Sequence, residues 1–159
     1  MKKIVLFLVL ALFIIGCKTK NSATVPEIKD AKKVKIAGSA INDSQQNKAY
    51  ELGKRVLNTC NTSKFKPFTT AEATASVLKN TTEARLTKTC TRFRQYYGSF
   101  IDLQFVEAYV NKADQTTIYR YKAQYTKKVA NKELRINMTS DNKVSAIKSL
   151  DWVDYFSIN

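Results

Sequence analysis

The chain has 159 residues, with 27 Lys plus Arg against 13 Asp plus Glu, 4 Gly, 2 Pro, 3 Cys and no His. The missing His excludes Ser-His-Asp and Cys-His nucleophile pairs, imidazole general bases and His-ligated zinc, and so few glycines leave no phosphate-cradling Gly-rich loop. At 44% apolar and 25% charged residues the chain can build one packed domain, the usual content of this length.

Met1, Lys2 and Lys3 make a short cationic start, followed by twelve uninterrupted apolar residues from Ile4 to Ile15. A bilayer-spanning helix needs roughly 20 such residues, so this run reads as the apolar stretch of a cleaved export signal. The residues that close it, Ile14-Ile15-Gly16-Cys17, resemble the lipobox of bacterial lipoprotein precursors. The resemblance implies removal of residues 1–16, a diacylglyceryl thioether on Cys17 and acylation of the new amino group. With about 0.8 kcal/mol per buried methylene, two or three acyl chains would hold such a protein on a membrane. The implied address is the bacterial cell envelope. Lys18 is not the acidic residue that commonly signals inner-membrane retention in enteric bacteria, so the outer membrane facing the periplasm is the expected location.

Residues 17–40 are polar and basic, with Pro26 and Gly38 and no sustained apolar period, and read as a flexible tether whose lysines lie near anionic headgroups. A single domain is expected over 41–159. Asn42, Asp43 and Ser44 are good caps for a first helix, whose stripe is Ala49, Leu52, Gly53, Val56, Leu57 and Cys60. Thr69-Thr70-Ala71-Glu72 has capping-box spacing and predicts a second, shorter helix through Lys79. Asn80-Thr81-Thr82-Glu83 repeats the entry signal for a third, with the stripe Leu86, Cys90, Phe93 and Tyr97 and a stop at Gly98.

Beyond Gly98 the apolar period falls to two. Ile101, Leu103, Phe105 and Tyr109 alternate with polar residues, as do Tyr119, Tyr121, Ala123 and Tyr125. Shorter runs follow at Leu134, Ile136 and Met138, then at Val144, Ala146, Leu150 and Trp152. The connections between them are short and polar, so four strands form an antiparallel meander with one face on the helices, an α+β fold. This order, with the Tyr96-Tyr97-Gly98 junction, resembles the nuclear transport factor two-like (cystatin-like) domains. The resemblance implies a curved, cone-like sheet around a pocket that binds a ligand or performs acid-base chemistry with a carboxylate and a Tyr. Asp102 and Glu107 are the strand carboxylates, out of phase with the apolar face or near a strand end, and Asp102 reads as solvent-facing. The leading expectation is therefore a non-enzymatic binding protein. A cone-pocket isomerase or hydrolase and a structural accessory subunit of an envelope complex are the rivals.

Cys60 and Cys90 remain as a pair in an exported compartment, either bridged or packed as two buried thiols. Two thiolates without His are too few soft ligands for a metal, and no cofactor is expected. Phe93, Tyr97, Tyr109, Tyr119, Tyr121, Tyr125 and Trp152 either line an aromatic pocket for a small amphipathic ligand or fill the core. Arg120 and Lys122, with Arg135 on the next strand, form the opposite face, a basic surface for an anionic envelope component or simply the solvated side of the sheet. Export separates the protein from nucleic acid.

Overall fold

The computed structural model describes residues 32–158. The leader, Cys17 and the tether as far as residue 31 lie outside those residues. Helix α1, Asp43–Thr62, starts where the Asn42 side chain accepts a hydrogen bond from the Gln45 amide at 2.9 Å, and it ends on Ser63 in the left-handed region. Its inward stripe is Gln45, Ala49, Leu52, Gly53, Val56 and Thr59. Gly53 lets the helix lie close on the sheet: a Cβ there would come within 2.6 Å of Ile136 Cδ1 and 2.8 Å of Leu134 Cδ2.

The capping-box signal at Thr69 forms, but the helix it predicts starts late. The Glu72 carboxylate accepts from the Thr69 amide at 2.8 Å and also holds Arg55 through two bonds of 2.7 and 3.1 Å. Those contacts hold the Glu72 carboxyl well below its usual range, at about 2. Ala73 is then drawn into a parallel bridge with Val144, so helix α2 is only Ala75–Asn80. Helix α3, Glu83–Tyr97, is capped by Thr82 and stopped by Gly98 at φ 79°. Cys90 is its one buried residue, and a disulfide joins it to Cys60 of α1.

The sheet has five strands, not four, in the order β1-β2-β3-β4-β5, all antiparallel. They are β1 Lys33–Lys35, β2 Phe100–Asn111, β3 Thr116–Tyr125, β4 Lys132–Met138 and β5 Val144–Asp151. The added strand lies inside the span read as tether. Lys33, Val34 and Lys35 pair with Asn111, Val110 and Tyr109, so ladder bonds order a basic segment that has no apolar period of its own. The sheet also stays open and is not strongly curled, which corrects the cone. Helices α1 to α3 cover one face, where Leu103, Ala108, Tyr119, Tyr121, Ala123, Leu134, Ile136 and Met138 meet Ala49, Leu52 and Val56. This core, the sheet and the disulfide all lie within residues 32–158, so that part carries its own packing.

Register shifts between Phe100 and Asp102 and between Phe105 and Glu107 break the alternation of β2 twice. Phe105 packs toward the helices, but Tyr109 turns to the far side of the sheet.

Candidate functional site

The far face of the sheet, expected to be solvated, holds a buried ionic cluster. Arg120 is 0% exposed and lies directly across from Glu107 in register. One guanidinium nitrogen donates to Glu107 and the other to Glu133, itself fully buried, and the second also donates to the Val153 carbonyl at 2.8 Å. Arg135 donates to the other oxygen of Glu133, and Lys35 pairs with Glu107 at 2.7 Å.

What covers these charges is the segment after β5. It turns back, placing the Trp152 ring 4.7 Å and the Phe156 ring 5.1 Å from the Arg120 guanidinium. Tyr109 stacks on Phe156 at 4.3 Å. Burial pushes the Glu107 carboxyl up, but bonds from Lys35, Tyr109 and Arg120 outweigh it and hold the group below its usual range. Burial likewise works against the Arg120 charge, and Glu133 and Glu107 more than offset it. Arg120 is thus a structural keystone rather than part of a basic surface. Lys122 stays exposed at the edge of this cover, over Trp152, and Arg135 is half-buried.

The seven aromatic residues divide into three groups. Tyr119 and Tyr121 are core, and their hydroxyls donate to Gln45 Oε1 at 3.0 Å and to the Gln46 carbonyl at 2.9 Å. Tyr109 and Trp152 belong to the cover on the far face. Phe93, Tyr97 and Tyr125 come together where α3 leans over the sheet, with ring centres 5.2 and 6.0 Å apart in sequence.

That seam contains an apolar cleft of about 120 Å³. Val56 and Leu57 of α1, Leu86 and Phe93 of α3, and Phe100 and Tyr125 of the sheet form its walls. It shares Thr89 and Phe93 with a groove of about 410 Å³ along α3, lined also by Arg92, Tyr96 and Tyr97. Lys132 stands at the rim, its ammonium 5.5 Å from the Phe93 ring and 5.2 Å from that of Tyr97, and it is bonded to Asp151 at 2.6 Å. Burial, then Tyr97, pushes the Tyr125 hydroxyl up to about 12, so it is a neutral donor. Among the described residues nothing hydrogen-bonds it. An apolar recess, one spare hydroxyl and cations at the mouth suit a molecule with an apolar end and a polar or anionic head.

Two carboxyl–tyrosine pairs occur among the described residues, and neither lines the cleft. Asp102 accepts from the Tyr50 hydroxyl at 2.7 Å, with Lys54 3.4 Å away, on a side chain that is 43% exposed. Glu107 with Tyr109 lies in the cluster on the far face. Hydrogen bonding, led by that from Tyr50, holds Asp102 below its usual range, the reverse of what a general acid requires. Among the described residues no group of three or more potential metal ligands is assembled.

Comparison with protein-family models, with curated proteins and with solved structures finds no match for this chain. What it is stands on its own residues: helices packed on a five-stranded antiparallel sheet. The sequence reading missed Lys35, Glu133 and Phe156, although opposite charges at facing strand positions followed by a Trp152-to-Phe156 tail were a usable signal. It also missed Arg92 and Lys132, which gain meaning only from what they stand beside.

Proposed function

We propose that the chain is a lipid-anchored protein of the bacterial cell envelope whose α+β domain holds a small amphipathic ligand in the cleft under α3. The anchor rests on Ile14-Ile15-Gly16-Cys17, whose small residue and thiol suit lipoprotein processing. The ligand rests on one observation: Phe93 and Tyr125 wall a recess instead of filling it, and Phe93 and Tyr97 line the groove beside it. Helices ahead of a meander support kinship with nuclear transport factor two-like domains, with the ligand at the helix–sheet seam in place of a cone. Binding is favoured over catalysis because both carboxyl–tyrosine pairs lie away from the recess with their carboxyls held ionised.

Titration calorimetry with octanoate tests the cleft. The mature chain is expected to show one saturable site. In Thr89→Trp, which puts an indole on the wall that cleft and groove share, binding should weaken by about tenfold, the equivalent of roughly two methylenes left in water. Equal binding by both forms, or no saturable site in either, would refute the assignment.

A further inference from the structure

Helix α3 and the β3–β4 connection beside it carry an unusual run of charge. Between Glu83 and Asp102 the sequence has Arg85, Lys88, Arg92 and Arg94 and no carboxylate, and Lys127 and Lys128 add two more cations without one. At 100° per residue, Arg85, Lys88, Thr89, Arg92 and Tyr96 share the outer face of α3, next to the seam marked by Phe93. The connection is fastened to the end of this helix, since Lys127 Nζ donates to the Gln95 carbonyl at 2.6 Å.

In contrast to Lys35, Arg55, Arg120 and Lys132, none of Arg85, Lys88, Arg92, Arg94 or Lys128 pairs with a carboxylate among the described residues. Two large side chains stand out of the patch: Tyr96 at 56% exposure, with the Arg92 guanidinium 5.8 Å from its ring, and Val129 at 72%. Unpaired cations around a protruding Tyr and an aliphatic residue match the chemistry of a membrane interface, with anionic headgroups above an apolar interior.

We propose that this face docks the domain on an anionic phospholipid surface, with the mouth of the cleft turned toward the lipid. The inference builds on the anchored reading and adds an orientation to it. The chain enters the sheet at the opposite end, where the Lys112 amide donates to the Lys32 carbonyl at 2.8 Å. β2, twelve residues long, puts that entry about 40 Å from the patch. The fifteen residues from Cys17 to Ala31 can reach at most about 50 Å, enough for the domain to lie along the membrane.

Sedimentation with vesicles tests this on the mature chain, residues 17–159, made as the Cys17→Ser form so that no acyl group contributes. The chain should pellet with vesicles containing phosphatidylglycerol and stay in solution with pure phosphatidylcholine. Lys88→Glu, Arg92→Glu and Lys128→Glu together should weaken that binding by at least about tenfold, and Gln at the same positions by less. Lys32→Glu, Lys112→Glu and Lys148→Glu, an equal charge change at exposed positions away from α3, should leave most of it. Equal losses in the two Glu sets, equal binding to both kinds of vesicle, or retention on a polyanionic glycan without vesicle binding would each overturn the proposal. Failure of the anchor reading appears elsewhere, in the mass of Cys17, and leaves this measurement untouched.

Discussion

Arg120→Met is expected to destabilise the domain by about 3–5 kcal/mol in urea denaturation, a large part of the roughly 5–15 kcal/mol that holds a domain folded. The mutation leaves Glu133 fully buried with Arg135 as its remaining partner, and it takes from Trp152 and Phe156 the cation they cover. The loss should come from an uncompensated buried charge rather than from packing, because Met fills much of the same volume. Arg120→Met with Glu133→Leu should therefore recover most of the stability, while Glu107 keeps its pairing with Lys35. A single mutant that loses under about 1 kcal/mol would show that the cluster is solvated and its cover open.

Removing the disulfide, by Cys60→Ala with Cys90→Ala, should cost about 3–4 kcal/mol, the loop-closure entropy of its 30-residue separation. The effect should be concentrated in one element. Cys90 is the one residue of helix α3 in the buried core, so without the bridge the helix depends on the partly buried Leu86, Phe93 and Tyr97. Hydrogen exchange should then speed up across Glu83–Tyr97 while β3 and β4 keep their protection. Because α3 forms one wall of the cleft, octanoate binding should weaken together with it. Uniform loss of protection over helices and sheet alike would show that the bridge supports the whole core.

Much of the fold was readable from local signals. Asn42, one of the three expected caps, starts α1, α3 starts on Thr82 at the end of the Asn80–Glu83 signal rather than on Asn80, and the stripes of both helices face inward. The meander from β2 to β5 follows the change of period after Gly98. What escaped depends on contacts distant in sequence. A Lys-Val-Lys segment becomes β1 only because β2 offers an edge to it. Tyr109 leaves the helix side because of a bulge two to four residues earlier, which alternation alone cannot register. Arg120 sits on the polar phase of β3, and from that strand alone it belongs in water. The returning Trp152–Phe156 segment, some thirty residues later, buries it. Half of the candidate site was readable in the same sense: the aromatic residues were visible, but that Phe93 and Tyr125 wall a recess was set by how α3 leans on the sheet.

Intact-mass and peptide mass spectrometry of the chain purified from bacterial membranes tests the central claim most directly. The account predicts a mature protein beginning at Cys17, with diacylglyceryl on its sulfur and a further acyl group on its new amino terminus. A free thiol at Cys17, or a chain that keeps Gly16 and the residues before it, would contradict it.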